Sequence, residues 1–191
     1  MNSFVSPYYL ILSHHTLSDS WREIAFMLDM GPSGKEGISS ILLAAPEYDD
    51  NFDLWAGPVF AMLEKGVVAC GLEPQVGVVC FHPQYATPDG RSFPGFGHMH
   101  SVPRLKKWLH ETDPALEKEL SDDEIAAGGA WQRRTPHATI NVLRAEQLEA
   151  AEGRRSSSEL YTENIRRLVG KTDGIGSTKL QQDLQREQAL G

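Results

Sequence analysis

Val76-Gly77-Val78-Val79-Cys80-Phe81-His82-Pro83-Gln84-Tyr85 is the stretch on which the fold turns. Its apolar residues from Val76 to Phe81 are continuous instead of alternating, which predicts a short strand buried on both faces. His82, Pro83 and Tyr85 follow where that strand runs into a loop, a place where sheet proteins collect binding groups. Upstream, Tyr8 to Leu12 reads as a first strand. Ser20 with Glu23 forms a capping-box pattern, and Trp21, Ile24, Ala25 and Leu28 continue one helical face until Gly31-Pro32. Ile38 to Ala45, closed by Pro46, suits a second buried strand. Phe52, Trp55, Ala56, Val59, Met62 and Leu63 repeat at helical spacing. They predict a main core helix over about Asp53 to Cys70, bent or restarted at Gly57-Pro58 and ended by Gly71 and Pro74.

Downstream, Pro88, Gly90, Pro94, Gly95 and Gly97 mark a loop. Arg104 to Leu116 has helical spacing limited by Pro114, and the acidic run Glu117 to Glu124 leads into Gly128-Gly129. Residues 87–130 therefore read as one long excursion containing a helix or two. Thr139 to Leu143 predicts a fourth strand, Ala145 to Ala151 a short helix ended by Gly153, and Ser156 with Glu159 caps a helix carrying Tyr161, Ile165, Leu168 and Val169. From Gly170 the chain is polar, an exposed helix or disorder. The expected architecture is α/β or α+β: a single compact domain over residues 1–169 with a sheet of about four strands packed by helices, the excursion before the last strand, and a polar tail over 170–191. The pairing sense of the fourth strand is left open.

The 191 residues, 40% of them hydrophobic, suffice for one core. A net charge of −8 opposes tight, nonspecific binding to nucleic acid or anionic lipid. No apolar run approaches the ~18 residues of a membrane helix, and no basic segment precedes an apolar core at the start, so neither membrane insertion nor a signal peptide is expected. Cys70 and Cys80 both sit in apolar stretches and read as reduced, buried thiols. Acidic, reducing-compatible composition fits cytoplasm and plastid stroma equally.

His82 and Tyr85 are the candidate acid/base pair, an imidazole that exchanges protons near neutrality beside a phenol that orients a substrate oxygen. The competing reading has His82 capping strand-end carbonyls and Tyr85 packing on the loop. Arg133, Arg134 and Arg144, with His137, are the candidate ligand-binding groups, since arginine grips carboxylate or phosphate through paired hydrogen bonds; surface ion pairing is the alternative. His98-Met99-His100 places two imidazoles at a spacing that can share an ion, with His82 or His137 as third ligand, but lacks an acidic or thiol ligand at a recognised spacing, so no metal site is expected. His14-His15 reads as a turn. Gly31 to Lys35 and Gly95-Phe96-Gly97 are not phosphate loops, and no serine nucleophile elbow is present. Trp21, Trp55 and Trp108 fall on apolar faces. Trp131, after the glycine pair and beside two arginines, reads either as core or as a residue that closes over a ligand or docks a partner.

Phe81-His82-Pro83-Gln84-Tyr85, then Arg133 through Arg144, then Tyr161-Thr162-Glu163-Asn164 stand in the order of three motifs of the uncharacterised family labelled domain of unknown function 1415, which the chain resembles over most of residues 38–169. The resemblance implies a fold and a candidate site but no reaction and no cofactor. The family's second proline and its histidine in the middle motif are Ala138 and Asn141 here, and its N-terminal Cys-Pro-Phe segment has no counterpart in these residues.

Two functional expectations follow. One is a small anionic ligand held in a cleft by His82, Tyr85, Arg134 and His137, with acid/base chemistry. The other is a noncatalytic accessory subunit that keeps the fold and holds a protein partner through residues 87–130 and the tail.

Overall fold

The structure, a computed structural model, describes residues 8–11, 16–29, 40–88, 100–145 and 156–190. His14-His15, Gly31 to Lys35, Gly95-Phe96-Gly97, His98-Met99 and the expected helix beyond Ala145 lie outside the described residues. Helices and strands are mixed. Contacts gather the chain into two compact units, one of residues 1–82 with 137–151 and one of residues 83–136 with 152–191.

The first unit carries the sheet. Its strands are β1 (Tyr8–Ile11), β2 (Ser40–Ala44), β3 (Val76–Phe81) and β4 (Thr139–Arg144), in the order β1-β2-β4-β3. β4 runs antiparallel to both β2 and β3, and β1 is parallel to β2. The antiparallel trio makes this the α+β form of the expectation. Register places Ile41 and Val78 on either side of Val142, and Leu43 and Cys80 on either side of Ile140. Those five apolar side chains and the Cys80 thiol share one face because strand side chains alternate, and all six are buried in the core with Trp55, Phe60 and Leu63. Val79 points to the opposite face and is also buried, so β3 is covered on both sides.

Helix α1 (Thr16–Asp29) starts before Ser20, which is fully buried within it and does not cap it. The main core helix is three pieces: α2 (Phe52–Leu54), a π-helical stretch Trp55–Ala61, and α3 (Met62–Ala69). Asn51 caps the start by accepting the Leu54 N–H at 2.9 Å. Pro58 lies inside the π-helical stretch. Because proline has no N–H to give the fourth carbonyl back, the widened turn accommodates it where a straight α-helix would break. Cys80 is buried as expected. Cys70 is exposed, because it falls at the α3 C-cap where the apolar face has ended.

The second unit is helical: α4 (Val102–Thr112), α5 (Pro114–Glu119), α6 (Asp122–Trp131), α7 (Ser157–Val169) and α8 (Ser177–Gln188). Pro114 starts α5 at its first turn, with Asp113 as cap accepting the Leu116 N–H at 3.1 Å. The acidic run supplies the α6 capping box of Ser121 and Glu124, and the Ser156–Glu159 box opens α7 as its spacing predicts. Leu105, Leu109, Leu116, Leu120, Ile125, Ile165 and Val169 form the core. Gly128 and Gly129, the pair that the acidic run leads into, are buried within α6. A Cβ on Gly129 would stand 2.6 Å from both Leu105 Cδ1 and Thr87 Oγ1, and one on Gly128 3.0 Å from Val169 Cγ2. The pair is there for close packing. Among the described residues no helix is long and apolar enough to cross a membrane.

Two glycine substitutions separate packing from propensity. Gly129→Val should destabilise the protein by about 1–3 kcal/mol through overpacking. Gly57→Ala, where a Cβ meets nothing within 4 Å, should be neutral or stabilising by up to ~1 kcal/mol. Denaturant midpoints check both, and equal effects would contradict the packing role.

Candidate functional site

β2, β3 and the start of β4 meet at one end of the sheet, since Thr139 pairs with Ala44 on one side and Phe81 on the other. Just beyond, Ala45 donates its N–H to the Ala138 carbonyl at 2.8 Å. Pro46–Tyr48 then forms a 3-10 turn, secured by Tyr48 N–H to Ala45 O at 3.1 Å and Asn51 N–H to Tyr48 O at 3.0 Å. This turn presents two groups to the neighbouring strand ends, the Tyr48 carbonyl and the Asp49 carboxylate.

His82 meets the first. Its ring is fully buried, with Nε2 2.8 Å from the Tyr48 carbonyl oxygen. A carbonyl only accepts, so Nε2 carries the proton. The ring centroid lies 5.3 Å from Phe52 and 6.4 Å from Trp55. Burial pushes the His82 pKa below 6.5, against the Tyr48 bond and the Asp49 and Asp50 charges that raise it. His82 is a neutral donor locked into the strand-end structure, the arrangement that the carbonyl-capping reading describes. Trp55 Nε1, also buried, has no hydrogen-bond partner among the described residues.

His137 meets the second. Its Nδ1 is 2.8 Å from Asp49 Oδ2, while Asp49 Oδ1 accepts the Ala138 N–H at 2.6 Å. The carboxylate bridges a side chain and the adjoining backbone, which fixes both the ring and the entry to β4. The His137 side chain keeps 30% of its surface exposed, so solvent reaches it where it does not reach His82. A proline in place of Ala138 would have no N–H to give Asp49.

Arg144, at the end of β4, is buried, and its Nη2 donates to the Met27 carbonyl at 3.1 Å. Its guanidinium serves the interior of the sheet unit. Tyr85, Arg133 and Arg134 belong to the helical unit. Tyr85 is 2% exposed, and its carbonyl accepts Arg134 Nε at 3.1 Å. The Arg134 guanidinium lies 4.5 Å from the centre of the Trp131 ring. Arg133 Nη2 donates to Tyr161 Oη at 2.8 Å. The six candidates thus divide between the units, with His82, His137 and Arg144 in one and Tyr85, Arg133 and Arg134 in the other. His100, the described member of the expected histidine pair, packs edge-on against Trp108 and Tyr161 at 4.6 and 4.5 Å. No group of three metal-ligating side chains occurs among the described residues.

Asp49 is the residue the sequence reading missed. Its signal was present in Pro46-Glu47-Tyr48-Asp49-Asp50, an acidic turn directly after a buried strand, but nothing local couples it to a histidine 88 positions away. Comparison of the chain with protein-family models, curated proteins and solved structures returns no match.

His82 gives a signed pH dependence. Above pH 6.5, its ordinary pKa, folded and unfolded chains both hold it neutral and its full contribution to stability is present. As pH falls below that value, the unfolded chain takes up a proton that the folded chain resists until its own lower pKa is reached, so stability drops. Thermal midpoints across pH 5–8 should fall more steeply toward acid for wild type than for His82→Gln; parallel curves would contradict the assignment.

Proposed function

We propose that the protein acts on a small molecule by acid/base chemistry, with His137 transferring the proton and Asp49 as its positioning residue. The observation that carries this reading is the 2.8 Å contact between His137 Nδ1 and Asp49 Oδ2. An ionised carboxylate only accepts, so the shared proton sits on Nδ1 and the basic lone pair of the neutral ring is on Nε2. A carboxylate behind an imidazole also stabilises the imidazolium formed when Nε2 takes a proton, which is the logic by which acid/base histidines are oriented. Asp49 is itself held by the Ala138 N–H, so the pair is set before any ligand arrives.

In this reading His82 supports the turn from beneath and exchanges no proton with the ligand. The resemblance to domain of unknown function 1415 belongs to the same proposal: its histidine-bearing strand end is the feature that gathers the turn, although the acid/base role passes from the motif histidine to His137.

Turnover decides the matter. Wild type incubated with a panel of small esters, thioesters and hydroxy acids should convert at least one, followed by proton NMR. His137→Gln should lower that rate by roughly 10²–10⁴-fold, the usual contribution of a positioned acid/base group. Asp49→Asn should lower it while shifting the acid limb of the pH–rate profile. No conversion across the panel, or conversion unchanged in His137→Gln, would overturn the reading.

A further inference from the structure

Two contacts brace Arg134. Its Cζ lies over the Trp131 ring, 4.5 Å from the ring centre. That indole closes α6 and is itself fixed, its Nε1 donating to Ser177 Oγ at 3.3 Å. The inner edge is fixed by Nε donating to the carbonyl of buried Tyr85 at 3.1 Å. These are the contacts Arg134 makes among the described residues, and neither is to a carboxylate. Burial lowers its pKa, and among the described residues no acidic side chain acts in the other direction. A half-buried cation without a counter-ion is costly, and an incoming anion relieves that cost.

The fixed edge also selects the shape of that anion. A guanidinium binds an oxyanion side-on through Nε and one Nη, or end-on through both Nη atoms. Nε is engaged, so the end-on fork remains, presenting two parallel N–H donors in one plane. That fork matches the two coplanar oxygens of a carboxylate, and one guanidinium balances its one charge. The neighbouring Arg133 directs Nη2 to Tyr161 Oη at 2.8 Å, so the carboxylate assignment rests on the Arg134 fork and not on a pair of arginines.

We propose that the helical unit binds the carboxylate group of a small molecule end-on through Arg134, with Trp131 and the Tyr85 carbonyl as the groups that orient it. This stands on geometry within that unit and does not depend on the acid/base reading of His137.

The test is an NMR titration of the arginine Nε–Hε signals of the full chain with sodium acetate, sodium phosphate and sodium chloride at constant ionic strength. Acetate should shift the Arg134 signal saturably, beyond any effect of chloride and at lower concentration than phosphate. Arg134→Lys, which keeps the charge but loses the fork, should weaken acetate binding by about tenfold or more, measured on the Trp131 indole signal. Arg104→Lys, at a guanidinium 5.9 Å over Trp108, should leave acetate binding unchanged and so controls for a general effect of stacked arginines. A wild-type titration with no saturable acetate shift overturns the proposal without reference to any variant. So does undiminished binding in Arg134→Lys, and saturation by phosphate at lower concentration overturns the carboxylate assignment. Acetate binding that persists in His137→Gln is expected, which separates this result from failure of the turnover reading.

Discussion

A single carboxylate joins the exit of β2 to the entry of β4. Asp49 accepts the Ala138 N–H through one oxygen and His137 Nδ1 through the other, at 2.6 and 2.8 Å, while Ala45 donates to the Ala138 carbonyl from the other side. Hydrogen bonds to an ionised acceptor contribute more than neutral ones, about 1.5–3 kcal/mol, and here they act where two strands change direction. The turn thus secured also holds the Tyr48 carbonyl over His82. Two histidines from separate strand ends are consequently fixed by neighbouring residues of one short turn, one sealed and neutral, the other open to solvent.

That division assigns different work to two chemically identical side chains. Burial among Phe52 and Trp55 makes protonation of His82 unfavourable, so its value is as an unvarying donor. His137 has a carboxylate behind it and water in front. Arginines divide in a similar way: Arg144 closes a carbonyl inside the sheet unit, whereas Arg134 is held by the Tyr85 carbonyl and the Trp131 ring, with no carboxylate partner among the described residues.

Much of the fold was legible because it rests on local rules. β3 matches its apolar run residue for residue, and the Ser156–Glu159 capping box opens α7 where its spacing predicts, whereas Pro114, read as the limit of one helix, starts α5, and the Ser121 cap lay unread in the acidic run. Misreadings arose where tertiary packing overrides the local signal. Ser20 resembles a cap but is buried within α1, and Gly128-Gly129, placed by its composition in a loop-rich excursion, lets α6 approach Leu105, Ile165 and Val169 closely. The site was legible only in part. Histidines and arginines announce themselves by type, but the partner that gives each its role is a carbonyl or a carboxylate remote in sequence. Ala138 is the sharpest case, because what it supplies to Asp49 is a backbone N–H that no side-chain pattern marks.

The protonation pattern of the His137 ring is the most direct probe of this arrangement. Nitrogen-15 NMR of the neutral imidazole should find the proton on Nδ1 in wild type, and that preference should weaken in Asp49→Asn. A ring protonated on Nε2, or a tautomer balance that ignores the Asp49 substitution, would contradict the account.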